Sequence, residues 1–136
     1  MIQFFKMILV SSFVQNGDAH LKNFGLIYED ISSIKLCPAY DIVCTTAYIK
    51  KDIPALNLLG SKKWWDKRFL LRFGIESCNL SNTEVNKLYN ETLDAVEKVS
   101  NELKSRLIYE KNEDKILMIN KLLDVFSDKL EDKNDV

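Results

Sequence analysis

The 136-residue chain is short of the residues that build most metal and cofactor sites. It has one histidine, His20, and three cysteines, Cys37, Cys44 and Cys78, none in a Cys-x2-Cys pair. That set argues against a zinc site and against a disulfide framework. The thiols read as reduced, as in a cytoplasmic protein, with two of them expected to lie buried near Asp41. The four glycines, Gly17, Gly25, Gly60 and Gly74, stand far apart, so neither G-x-G-x-x-G nor G-x-x-x-x-G-K-[ST] occurs. Charge is almost balanced, at −1, and no stretch is strongly basic, which argues against direct nucleic-acid binding. There is no long apolar run either. The first is broken by Gln3, Lys6, Ser11 and Ser12, too short and polar for a signal peptide or a membrane span. Two prolines and no repeat leave one compact, mainly helical domain, with 46% apolar residues to form its core.

Against this plain background one segment is dense in chemistry: Asn16-Gly17-Asp18-Ala19-His20-Leu21-Lys22-Asn23-Phe24-Gly25. It puts a carboxylate, an imidazole, an ammonium and a carboxamide on ten residues, and a second acid follows in Cys37-Pro38-Ala39-Tyr40-Asp41. Asn-Gly-Asp alone is also what a tight turn looks like, because Gly reaches positive φ and Asn and Asp cap nearby amides. The spacing adds to it. Phosphoryl transfer from ATP needs an acid to orient the attacking hydroxyl, and an Asp and an Asn to hold Mg²⁺; protein kinases space the first Asp and the Asn as D-x-x-x-x-N. Asp18 and Asn23 keep that spacing, and Asp41 stands where the later acid belongs. The flanks fit: a helix over Ile2–Val14 with Phe5, Ile8, Leu9 and Phe13 at helical spacing, a short buried strand over Phe24–Tyr28, a polar turn, and a returning strand over Ile34–Cys37.

The loop, the segment Leu36–Asp41, and Ala55-Leu56-Asn57-Leu58-Leu59-Gly60-Ser61-Lys62-Lys63 with Trp65 and Phe69 together resemble the C-terminal lobe of the HipA-like bacterial serine/threonine kinases, the toxin half of type II toxin–antitoxin systems. The likeness covers about the first half of the chain. It implies a mainly α, kinase C-lobe-like domain over residues 1–136, with catalytic loop 16–25, metal-Asp segment 36–43, helical remainder 62–131, and a small β-hairpin carrying the loop and the metal-binding Asp. It implies Asp18 as the catalytic acid, and Asn23 and Asp41 as Mg²⁺ ligands. His20, where eukaryotic kinases carry a Lys, is expected to face the γ-phosphate of ATP; a surface imidazole is the alternative. Lys22 is either a second phosphate contact or a plain solvated lysine. The substrate would be a protein Ser/Thr hydroxyl, and the partner a HipB-like DNA-binding antitoxin. The nucleotide-gripping N-lobe is absent, so a truncated frame, a split gene or a separate N-lobe chain is expected, with low activity for the chain alone. The alternative is a non-catalytic helical module that binds antitoxin or substrate.

The second half carries organisation. Phe69-Leu70-Leu71-x-Phe73 reads as a short helix ended by Gly74. Trp65 is expected in the core with Trp64 at its rim, base stacking by the pair being the alternative. Ser81-Asn82-Thr83-Glu84 is a capping box opening a long helix with a stripe from Val85 to Leu107, and a last helix follows Asn112 with Ile116, Ile119, Leu123, Phe126 and Leu130. Residues 131–136 read as a frayed charged tail. If a lobe is missing, Ile2, Phe5, Leu26, Tyr40 or Ile42 should form an exposed apolar patch.

Overall fold

The computed structural model describes residues 1–131; of the expected tail, all but Glu131 lies outside the described residues. Four helices, α1 (Ile2–Phe13), α2 (Lys67–Glu76), α3 (Asn82–Leu107) and α4 (Glu113–Glu131), surround one core, and an antiparallel hairpin of β1 (Leu26–Asp30) and β2 (Ser33–Leu36) projects from it. Among the described residues no helix is long and apolar enough to cross a membrane.

Three of the four helices are started by a capping side chain, α1 at Met1 being the exception. Asp66 caps α2 by accepting from the Phe69 amide at 2.8 Å. Ser81 and Glu84 form the expected capping box: the Ser81 hydroxyl accepts from the Glu84 amide, and the Glu84 carboxylate from the Ser81 amide. Asn112 does the same for α4, accepting from the Lys115 amide at 3.1 Å. On α1, Phe5, Ile8, Leu9 and Phe13 are almost fully buried against Val85, Leu88, Tyr89, Leu93 and Val96 of α3, with the Phe13 and Tyr89 rings edge to face at 5.1 Å. The stripe on α3 is shorter than expected. Val99 is exposed, and Leu103 and Leu107 are half-buried, so the stripe loses its cover toward the C-terminal end of the helix.

Gly74 does not end α2. The helix continues to Glu76 and is closed by the Ser77 and Cys78 amides bonding back to Phe73 O, after which Asn79 takes a left-handed φ of 54°. Gly74 lies in the helix because a Cβ there would stand 2.6 Å from Val85 Cγ1 and 2.9 Å from the Phe5 ring. It is a packing glycine where α1, α2 and α3 meet. The tryptophans divide as expected. Trp65 is buried and stacked on Phe69 with centroids 6.4 Å apart, and Trp64 is half-buried, its indole donating to Asp52 O at 2.9 Å. With Trp65 buried, the two rings do not form an exposed stacking pair.

The hairpin departs most from expectation. β1 starts two residues later than expected, and all five of its residues are exposed. In the observed register Leu26 faces Leu36 and Tyr28 faces Ile34, while Ile27 faces Lys35. Period-two alternation therefore puts Leu26, Tyr28, Ile34 and Leu36 on one apolar face. The other face carries Glu29 and Lys35, ion-paired at 2.9 Å. The apolar face meets no core among the described residues, so a strand apolar enough to be buried is not. Ile2, Tyr40 and Ile42 are also exposed, as is Leu26; Phe5 is not, and is fully buried beneath α2 and α3.

Candidate active site

The expected loop is mounted on α1 at both ends. At the helix C-terminus the Gln15 amide bonds to Ser12 O and the Asn16 amide to Ser11 O, with Gln15 at φ 51°. This is a Schellman ending with glutamine in the left-handed position that glycine usually fills. It turns the chain so that Asn16 enters the protein, 3% exposed. Thr45 grips the loop on either side of Asn16. Its hydroxyl accepts from the Gly17 amide at 2.8 Å and donates to Gln15 O at 3.2 Å, and its own amide also reaches Gln15 O. Gly17 leaves room for this. A Cβ there would overlap the Asp52 carboxylate and lie 2.7 Å from Thr45 Oγ1. At the far end, Phe24 packs edge to face on Phe4 of α1 at 5.4 Å, and Gln3 Nε2 donates to Cys37 O at 3.1 Å, tying the end of the hairpin to the start of the same helix.

Asp18, on the crest of the loop, is exposed, with its amide donating to Asn16 Oδ1 at 3.2 Å. Its carboxylate is 3.8 Å from His20 Nε2, near but outside hydrogen-bond range. His20 is half-buried; its Nδ1 is enclosed and has no hydrogen-bond partner among the described residues. A 3₁₀ turn, Leu21–Asn23, carries the chain inward, and Asn23 is buried. The hairpin then reverses the chain and returns Asp41 to it: Asn23 Nδ2 donates to Asp41 Oδ2 at 3.2 Å across 18 residues of sequence. Asp41 is exposed and holds a φ of 55°, a left-handed conformation uncommon outside glycine. Lys22 stands in solvent, while its carbonyl accepts from the Tyr40 hydroxyl at 2.6 Å.

The structure thus sets Asp18 beside His20 and Asn23 beside Asp41, with Lys22 extended from the same loop. The donor set suits Mg²⁺, a hard cation commonly held by one or two carboxylates plus phosphate and water oxygens. Among the described residues no group of three or more His, Cys, Asp and Glu side chains gathers as a metal cage, and Mg²⁺ at a phosphate site does not require one. Of the cysteines, Cys44 is buried as expected near this segment and Cys37 is half-buried; all three are free thiols. Burial pushes the Cys78 thiol pKa up. Four residues that shape the site carried no assigned role from sequence. Asn16 and Tyr40 stood inside the quoted motifs without a partner, and Thr45 and Asp52 had no signal of their own.

Comparison with known proteins matches this arrangement to one family. A model of the HipA-like C-terminal domain fits residues 1–100, a span that holds α1, the loop, the hairpin, Asp41, α2 and most of α3. A protein of Sinorhizobium fredii (strain NBRC 101917 / NGR234), named "Putative kinase Y4dM", is 44% identical over 62 residues, 45% of this chain. The match spans 15% of that relative's length. With the family model fitting well over half of its residues, the chain belongs to the HipA-like C-terminal domain family.

Proposed function

We propose that these residues are the catalytic half of a serine/threonine protein kinase that uses ATP and Mg²⁺. The observation that carries the reading is the Asn23–Asp41 contact at 3.2 Å, with Asp18 five residues before Asn23 on the same anchored loop. The kinase name of the Sinorhizobium relative supports it. Asp18 orients the incoming Ser or Thr hydroxyl and accepts its proton, a role that suits a carboxylate standing open to solvent. His20 and Lys22 face the phosphates, and Asn23 and Asp41 hold the metal. When bound, Mg²⁺ supplies positive charge against the phosphate oxygens. Family resemblance adds two partners to the proposal: a protein substrate and a HipB-like DNA-binding antitoxin.

Catalysis of this class is mostly positioning and charge stabilisation. The 136 residues hold no glycine-rich phosphate loop. We therefore assign the grip on the nucleotide to a second lobe, from a separate chain or from more of the same protein. The uncovered apolar face of the hairpin, with Leu26, Tyr28 and Ile34 exposed, supports a docking partner on this side.

The test begins with the metal. Mn²⁺, a paramagnetic stand-in for Mg²⁺, should broaden the amide resonances of residues 16–25 and 39–45 in an NMR titration. Asp41→Asn should abolish that broadening. Broadening confined to other acidic surfaces would overturn the reading. Radioactive ATP should give little labelling with the chain alone, and labelling with an N-lobe added in trans that Asp18→Asn removes. Strong labelling by the chain alone, lost in Asp41→Ala, would keep the site and discard the need for a second lobe.

A further inference from the structure

We infer that Asn16 is the positioning residue that locks the Asp18 loop to Asp41 and so fixes the metal pair; this deepens the kinase reading and rests on it. Three observations carry it. Asn16 is 3% exposed while Asp18, two residues on, stands open to solvent, and a buried carboxamide must satisfy its polar atoms within the protein. Its two ends go to the two halves of the site. Oδ1 accepts from the Asp18 amide at 3.2 Å, and Nδ2 donates to Asp41 O at 3.4 Å. The second is a long bond, and it lands on the carbonyl of Asp41, which holds a left-handed φ of 55°.

Asp41 reaches Asn23 from that conformation, and the described hydrogen bonds to its backbone are few. Its side chain is exposed, and Ile42 and Val43 after it are exposed too. The Asn16 carboxamide is the described hydrogen bond that joins the Asp41 peptide to the loop. The backbone of Asn16 is pinned as firmly, by Ser11 O at 2.8 Å from within and by the Thr45 grip on Gln15 and Gly17. The donor therefore projects from a fixed point. Moving it moves Asp41 relative to Asn23, with no change in either ligand's chemistry.

Asn16→Asp separates this role from a structural one. The new carboxylate still accepts from the Asp18 amide but has no N–H to give Asp41 O. Groups that orient a ligand without touching the metal typically contribute tenfold or more to metal affinity. The Mn²⁺ concentration that half-broadens residues 39–45 should rise about tenfold or more in Asn16→Asp. Gly74→Ala, remote from the site, serves as the control. It should lower stability and leave the Mn²⁺ midpoint where it is. An unchanged midpoint in a folded Asn16→Asp, with Mn²⁺ still lost in Asp41→Asn, overturns the role of Asn16 alone. No Mn²⁺ at this segment in the wild type overturns it together with the kinase reading. If Asn16→Asp does not fold, Asn16→Ser takes its place, since a hydroxyl accepts from the Asp18 amide and is too short to reach Asp41, and the same two outcomes apply.

Discussion

Thr45 ties the Asp18 loop to the rest of the protein through its amide and its hydroxyl, and the hydroxyl takes the Gly17 amide and gives to Gln15 O. Thr45→Val keeps the shape and removes both bonds, leaving the Gly17 amide without its acceptor. Such a loss costs about 1–3 kcal/mol. Urea unfolding should show it, with faster hydrogen exchange at Gly17, and Thr45→Ser should restore most of it. Glu84 gives a second prediction at this scale. Bonds from the Ser81 amide, and then from its hydroxyl, hold the Glu84 carboxyl below its usual pKa. A depressed folded pKa means stability that is present above the unfolded value and lost as pH falls through the folded one. Glu84→Gln should therefore flatten the acid limb of a melting-temperature profile, with the gap to wild type closing below the folded pKa. Single residues were unequally legible. Asp18, Asn23 and Asp41 announce themselves by type and spacing. Thr45 lies 28 residues from its partner, and its hydroxyl acts only because a Schellman turn brings Gln15 and Gly17 to it.

Helix starts follow from sequence, because a cap is a local exchange between a side chain and amides two or three residues away; Ser81, Asp66 and Asn112 all act as their neighbours demand. Helix ends and strand burial depend on what lies across the gap. Gly74 looks like a terminator in one dimension and proves to be a spacer in three. Helix propensity alone favours Gly74→Ala by about 1 kcal/mol. The new methyl would meet Val85 and Phe5, both buried core residues with no room to retreat, and overpacking of this kind costs about 1–3 kcal/mol. The substitution should lower the urea midpoint, against its propensity, and Gly74→Ala combined with Val85→Ala should recover part of the loss. The hairpin teaches the converse. Leu26, Tyr28, Ile34 and Leu36 alternate as a buried strand pair would, yet alternation records only that a face is apolar, not what covers it.

At the scale of the whole molecule, the family match stops at residue 100, inside α3, while the fold does not. α4 lies wholly beyond that boundary and packs on α3, α1 and the short turn Thr45–Ala47. Phe126 enters the common core at 6% exposure, and Ile119 is equally buried. Two lysines of α4 reach across the chain, each at 3.0 Å: Lys121 Nζ donates to Ala47 O in the turn after Asp41, and Lys129 Nζ to Trp65 O just before α2. The first of these bonds lies two residues from Thr45, so α4 backs the clamp that holds the loop. Phe126→Ala should cost about 3–5 kcal/mol, as large-to-small changes at buried aromatics do. A domain of this size has a total stability of the same order, about 5–15 kcal/mol. Removing α4 altogether, by ending the chain at Asn112, should therefore abolish cooperative unfolding and not merely shift it. Circular dichroism across a urea series gives the readout. A sharp transition from the full chain beside a sloping one from the truncated form is expected, and a truncated form that unfolds sharply would show residues 1–112 to be complete without α4.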